Sequence, residues 1–232
     1  MADASLTIAP VFHVGPLGIT STVITTWVIM AVLGAFAYGL SRRLRLDAGP
    51  VQSAVEGIVL TIESAIEAVE PTHARRILPF VGTLWIYLVV ANLSGLIPGA
   101  HAPTRDLSAT AALALLVFAS THWYGLRIAG PRAYLSHYTS PSPILLPFHV
   151  ISEITRTVAL AVRLFGNIMS LEMAALLILL VAGFLAPVPI LMLHVIEALV
   201  QAYIFGMLAL IYIAGGIQSQ QVRLEAKGAT ND

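Results

Sequence analysis

The chain has 232 residues, of which 58% are hydrophobic and 10% are charged, and its formal net charge at pH 7 is zero. A soluble domain carries about 25% charged residues, so this composition indicates a membrane protein. Zero net charge gives no basic field to attract nucleic acid. Cysteine is absent, which excludes disulfides, thiolate nucleophiles and cysteine-ligated metals. We predict an all-α polytopic membrane protein that forms one integral domain over residues 1–232.

Five apolar segments are long enough to cross a bilayer, for which about 20 residues suffice. The N-terminus lacks the basic stretch of a cleaved signal peptide, so we expect the first segment to be a retained helix. The remaining ends are predicted as an outer N-terminus (1–16) and a cytoplasmic tail (217–232). The predicted spans are residues 17–40, 77–97, 107–128, 144–185 and 189–216.

Arginines predict the orientation of these spans, because loops on the cytoplasmic side carry an excess of basic residues. With the N-terminus outside and the C-terminus in the cytoplasm, Arg105 is the only loop arginine on the outer side. The loop arginines on the inner side are Arg42, Arg43, Arg45, Arg75, Arg76, Arg127 and Arg132.

Residues 51–70 form an amphipathic segment rather than a span. Its acidic residues recur at spacings of three, four and seven, with apolar residues between them. This pattern predicts a helix that lies at the inner interface or beside the bundle. The acidic residues are Glu56, Glu63, Glu67 and Glu70.

The fourth apolar segment is too long for an upright crossing. The stretch from Phe148 to Leu185 would make a helix of roughly 57 Å at 1.5 Å per residue, whereas the hydrocarbon core is about 30 Å thick. Such a helix must tilt strongly or break. With the turn at 186–189 and the last segment, it predicts a long slanted helical hairpin.

Polar residues inside this hairpin fall on distinct faces. Arg163 lies near the middle of the fourth segment, where a permanent charge costs about 3 kcal/mol on insertion scales, so we interpret it as functional. Glu172 follows nine residues later, which turns it to the opposite face. On the same face as Arg163 lie Arg156, Asn167 and Ser170, and the last segment carries one stripe of His194, Glu197 and Gln201.

Each of these residues also has a structural alternative. Asn167, Gln201 and His194 taken singly are typical of hydrogen bonds between membrane helices. Arg156 lies closer to the inner end, where it can pair with Glu153 at i−3. Glu172 and Glu197 are costlier in lipid, and beside a histidine they have the composition of a proton or cation path.

Three stretches identify a family. The sequence R-L-F-G-N at Arg163–Asn167, with Glu172 beyond it, resembles the signature of subunit a of bacterial F-type ATP synthases. The stretch H-V-I-E-A-L-V-Q-A-Y-I-F at His194–Phe205 and the outer-loop motif P-T-R-D-L at Pro103–Leu107 agree with it. The resemblance extends from Asn92 to Ile213.

The resemblance implies a non-catalytic, ion-translocating subunit of the membrane sector, without metal or cofactor. Arg163 would be the stator arginine that faces the ring of c subunits, with Asn167 and Gln201 beside it. Further partners would be b-type stator subunits and the F1 sector, in a bacterial inner membrane. The outer half-channel would contain Glu172, His194 and Glu197, the inner one His149, Glu153 and Arg156, and the outer-loop motif supplies Asp106.

Two alternatives stay open. The same rotary subunit can carry Na⁺ instead of H⁺, a choice that depends on the c-subunit site outside this chain. In an ion-coupled secondary transporter, Arg163 would instead bind an anionic substrate. Such transporters are marked by inverted repeats or broken helices, and neither pattern is evident in the sequence.

Overall fold

The computed structural model of the chain describes residues 10–14, 17–44, 49–97, 102–130, 146–182 and 188–228. Within these ranges the protein is almost entirely helical, as predicted. The helices are α1 (Ser21–Ser41), α2 (Pro50–Val69), α3 (Ala74–Leu93), α4 (Leu107–Ala129), α5 (Leu146–Ala182) and α6 (Val188–Gly228). Short 3-10 turns, Ser94–Leu96 and Pro103–Arg105, lie in the α3–α4 connection.

Five helices are long and apolar enough to cross a membrane: α1, α3, α4, α5 and α6. The chain is therefore a multi-pass membrane protein. The amphipathic α2 is not among the candidate spans, as the sequence predicted.

A small β-hairpin precedes α1, and the sequence analysis did not predict it. Strand β1 (Pro10–Val14) pairs antiparallel with β2 (Leu17–Thr20). We predicted helix from residue 17, but the helix begins only at Ser21. Hydropathy predicts only that this stretch is apolar. Ile19 and Thr20 are β-branched residues, which favour an extended backbone.

Helix α1 is held by few contacts of its own chain. Only 6% of the residues in its most apolar stretch are buried. It contacts α3 and the 3-10 turn that precedes α4. Its apolar residues surround the axis evenly, as in a helix that faces lipid or another subunit.

Helix α2 lies beside the bundle and packs on α3 and α6. Pro50 occupies its first turn, where a missing N–H costs nothing. Ile66 is fully buried in the contact with α3. At the end of α2 the buried Glu70 accepts from His73 Nδ1 at 3.1 Å, which fixes the turn into α3.

The core lies between α3, α4, α5 and α6. Helix α4 packs against both α5 and α6, and α6 also packs against α3. Small residues at four-residue spacing on α6 (Ala198, Ala202, Gly206) are buried and let neighbouring helices approach closely. A Cβ on Gly206 would lie 2.8 Å from the indole of Trp85.

Helices α5 and α6 are long and unbroken, with 37 and 41 residues. At 1.5 Å per residue they extend about 55 and 60 Å. The predicted span 189–216 agrees with the apolar part of α6, Pro189–Ile217, but the helix itself continues into the predicted tail, to Gly228. The segment beyond Gly216 contains Gln, Arg, Leu, Glu and Ala and no proline, and these residues favour continued helix.

Candidate ion-conducting site

Arg163 is the eighteenth of the 37 residues of α5, which places it at mid-helix. Its side chain is exposed on the outside of the helical bundle. Among the described residues, no hydrogen bond or ion pair reaches its guanidinium. The exposed residues one and two turns away from it on α5 include Ala159 and Ser170. Their side chains are small, so they leave space around the guanidinium.

A hydrogen bond joins α5 to α6 one turn from Arg163. Asn167 Nδ2 donates to Gln201 Oε1 at 2.6 Å. Gln201 is 1% exposed, and its Nε2 has no partner in the described part of the chain. Asn167 and Gln201 are therefore in direct contact, one turn along α5 from Arg163.

Two contacts define the register of α5 against α6. Asn167 meets Gln201, and Arg156 lies over the ring of Tyr212 at 4.6 Å from its centroid. Arg156 lies eleven residues before Asn167 on α5, and Tyr212 lies eleven residues after Gln201 on α6. The two helices therefore run antiparallel, and their residues stay paired in the same register between these contacts. In this register Glu172 is level with residue 196, between His194 and Glu197.

Glu172 forms an ion pair with Arg105. Arg105 Nη1 donates to Glu172 Oε2 at 2.9 Å, and their side chains are 27% and 12% exposed. The sequence analysis placed Arg105 in the outer loop but gave it no role. Its position as the lone outer arginine, inside the P-T-R-D-L motif, was the available signal.

His194 and Glu197 lie in the same layer without a hydrogen bond to Glu172 among the described residues. His194 is 3% exposed, and Glu197 is half-buried. The buried polar atoms without a partner within the described ranges are Glu172 Oε1, His194 Nε2 and Gln201 Nε2. Such atoms call for water or an ion, and all three belong to the predicted path.

A buried polar network ties the α3–α4 connection to α6. Thr104 Oγ1 donates to Asn92 Oδ1 at 2.9 Å, and Asn92 Nδ2 donates to the carbonyl of Ala198 at 3.1 Å. Asn92 and Thr104 are fully buried. The network fixes the loop that carries Arg105, and the sequence analysis did not single out either residue.

Asp106 has a local structural contact. It is the N-cap of α4, and its Oδ1 accepts from Ser108 N at 2.9 Å and from Ser108 Oγ at 2.8 Å. An acidic N-cap satisfies an amide at the helix start and complements the helix dipole. Asp106 thus holds the motif in shape beside Arg105.

The predicted inner residues form a second polar group toward the other end of α5. Arg156 Nη1 donates to Glu153 Oε1 at 3.3 Å, so the alternative pairing at i−3 is observed. The guanidinium also stacks on Tyr212, which the sequence analysis missed. His149 is exposed near the start of the helix.

The family model described as ATP synthase A chain matches residues 23–214. ATP synthase subunit a 2 of Pelobacter propionicus is 66% identical over 216 residues, which cover 93% of this chain and 95% of the relative. ATP synthase subunit a 1 of Hahella chejuensis is 69% identical over 206 residues, covering 89% and 88%. ATP synthase subunit a of Legionella pneumophila is 55% identical over 217 residues, covering 93% and 94%.

These matches extend over the five spans and leave no basis for the secondary-transporter alternative. The matched region includes Arg163, the Asn167–Gln201 contact and the layer of Glu172, His194 and Glu197. The chain belongs to the family of subunit a of the membrane sector of bacterial F-type ATP synthases.

Proposed function

We propose that this chain is the stator ion-channel subunit of a rotary ATP synthase in a bacterial inner membrane. It provides two offset half-channels and a fixed arginine, and it couples proton flow to rotation of a c-subunit ring. Its N-terminus is outside and its C-terminus cytoplasmic. The ring, b-type stator subunits and the F1 sector are its partners, and nucleotide chemistry belongs to F1.

The observation that carries this proposal is the exposure of Arg163 at mid-helix on a spanning segment. An arginine stays protonated at any working pH, and lipid is a costly surrounding for it. A partner that presents a carboxylate at the same depth removes this cost. The small side chains of Ala159 and Ser170 leave room for a helix of a partner subunit to pack closely beside Arg163.

The outer half-channel is the layer of Glu172, His194 and Glu197, continued to Gln201 and Asn167. It lies between the α3–α4 connection and the level of Arg163. Its unpartnered buried atoms are groups that a chain of water molecules or a passing ion would satisfy. The side chains also include the types that take up and release protons.

The inner half-channel starts from His149, Glu153 and Arg156, on the part of α5 that lies on the other side of Arg163. The side chains of the Glu153–Arg156 pair are partly exposed, so the pair is not enclosed by the helices of this chain. The two polar groups are separated along α5 by the level of Arg163, and a charge there blocks direct leakage between them.

The fixed charge also makes transport directional. A c-subunit carboxylate that has lost its ion is attracted to Arg163, and a loaded carboxylate is free to rotate into lipid. One charge that crosses 100 mV supplies about 2.3 kcal/mol. The contact must therefore be weak enough to break at each step, which partial hydration of an exposed guanidinium favours.

Replacement of Arg163 tests the proposal. In the complete complex in inverted vesicles, we expect Arg163→Ala to abolish ATP-driven ion pumping and ATP synthesis. Arg163→Lys should lose most activity as well, because a desolvated lysine does not keep its charge as arginine does. Arg42→Ala, which removes an exposed arginine stacked on Tyr38, is the matched control. Normal pumping by Arg163→Ala would refute the proposal.

The same vesicles identify the ion. Proton transport predicts pumping that acidifies the vesicle lumen without added Na⁺ and collapses with a protonophore. Uptake of ²²Na⁺ that survives the protonophore would instead assign the Na⁺ form of the same subunit.

A further inference from the structure

The ion pair between Arg105 and Glu172 connects the α3–α4 loop to the layer of Glu172, His194 and Glu197. The two residues are 67 positions apart in sequence, and Arg105 Nη1 lies 2.9 Å from Glu172 Oε2. The carboxylate is 12% exposed and the guanidinium 27%, so the pair lies at the rim of the buried layer. The inference deepens the proposed function and depends on it.

The loop presents Arg105 from a fixed position. On one side, the buried Thr104 is bonded to Asn92, which is bonded to α6. On the other side, Asp106 caps α4. Arg105 thus stands between two anchored residues, and its backbone cannot follow large movements of its side chain.

The two carboxylate oxygens of Glu172 have different surroundings. Oε2 accepts the hydrogen bond from Arg105, whereas Oε1 is buried without a partner in the described part of the chain. Oε1 lies against the 3-10 turn at Gly95, where an added Cβ would come within 3.2 Å of it and within 3.2 Å of the Ala102 Cβ. A side chain at position 95 would therefore push Oε1 or Ala102 aside by a few tenths of an ångström.

We propose that Arg105 is a positioning residue for Glu172 in the outer half-channel. It holds Oε2 and leaves Oε1 as the oxygen that takes up and releases the transported ion. A charge-assisted hydrogen bond orients a carboxylate more strongly than a neutral one does. Both side chains of the pair are partly exposed, so Arg105 orients the carboxylate without enclosing it.

The test uses the complete complex in inverted vesicles, with ATP-driven pumping and passive flux through F1-stripped membranes as readouts. We expect Arg105→Ala to lower both about tenfold, the worth of one hydrogen bond to a charged group. Arg105→Lys should restore most of the flux, because it keeps a charged donor. Arg127→Ala, which removes an arginine stacked on Trp123 at the far end of α4, should match the unchanged complex.

A double replacement separates positioning from a local structural role. If Arg105 acts through Glu172, then Arg105→Ala combined with Glu172→Gln is no slower than the slower single variant. Effects that multiply would overturn the proposal, and so would wild-type flux in Arg105→Ala. If Arg105→Ala does not assemble, Glu172→Gln should restore assembly by removing the unpaired carboxylate, and failure to restore it counts against the pair.

Gly95 provides an independent arm. Gly95→Ala should slow flux as Arg105→Ala does, whereas Gly34→Ala, on α1 with no atom within 4 Å of the added Cβ, should not. Wild-type flux in Gly95→Ala would contradict the crowded position of Oε1. Loss of pumping in Arg163→Ala with normal Arg105→Ala overturns this inference alone, while normal pumping in Arg163→Ala overturns the proposed function.

Discussion

Gly206 holds α6 against α3, and its replacement by alanine measures how tightly the two helices pack. The new Cβ would lie 2.8 Å from three indole atoms of Trp85, whereas carbon atoms in contact sit about 3.5–4.0 Å apart. The indole must therefore shift by roughly 0.7 Å. Trp85 is 7% exposed and stacks on Tyr203 at 5.7 Å between centroids, so it has little room. Overpacking of this kind costs about 1–3 kcal/mol.

Helix propensity acts in the opposite direction, since alanine is favoured over glycine inside a helix by about 1 kcal/mol. Gly215→Ala on the same helix isolates this term, because nothing lies within 4 Å of its Cβ. Between the two variants the propensity terms cancel. Gly206→Ala should therefore be less stable than Gly215→Ala by about 1–3 kcal/mol.

The assay is equilibrium unfolding of the purified full chain in mixed micelles with increasing SDS. Trp85→Phe in the Gly206→Ala background should recover part of the loss, because the smaller ring makes room. Equal stability of Gly206→Ala and Gly215→Ala would refute the close approach of α3 and α6.

Three further outcomes are expected. Asn92→Leu leaves Thr104 without its acceptor and should lower the free energy of unfolding by about 2 kcal/mol; unchanged SDS unfolding would show that the buried network is unimportant. Asn167→Leu removes the partner of Gln201 and should slow ATP-driven pumping severalfold in inverted vesicles. Asn167→Asp should slow it less, because its carboxylate can accept from the Gln201 amide. Equal pumping rates for the unchanged chain and Asn167→Leu would contradict a role beside Arg163. Truncation after residue 218 should leave pumping intact, because the segment beyond it is polar and outside the candidate spans; loss of pumping in an assembled, truncated complex would show that the end of α6 has a function.

Hydropathy predicted the number of spans, because a long apolar run has few alternatives in a bilayer. It could not predict where α1 begins, because residues 17–20, which were predicted as the start of the helix, belong to strand β2. It also could not predict the end of α6, because the polar stretch after Gly216 is a good helix former although it is not apolar. Helix ends depend on local backbone preferences that hydropathy ignores.

The candidate site was predictable where residues share a helix and unpredictable where they come from a loop. Helical spacing placed Arg163 beside Asn167 and set Glu172 on another face. The partner of Glu172 proved to be Arg105, since the fold of the α3–α4 connection decides which side chain reaches the carboxylate. Arg156 was found with Glu153 because the two are neighbours on one turn. Its second contact, Tyr212, depends on the α5–α6 register.

The uncovered guanidinium of Arg163 also bears on the life of the newly made chain. Before assembly it faces acyl chains, at a cost of about 3 kcal/mol on insertion scales, and a lone subunit relieves this strain by drawing headgroups and water toward mid-membrane. An unassembled copy therefore carries an energetic cost that docking of a partner with an opposite charge would remove. On the proposed function, the charge that governs rotation would also make the assembled complex more favourable in the bilayer than the lone subunit.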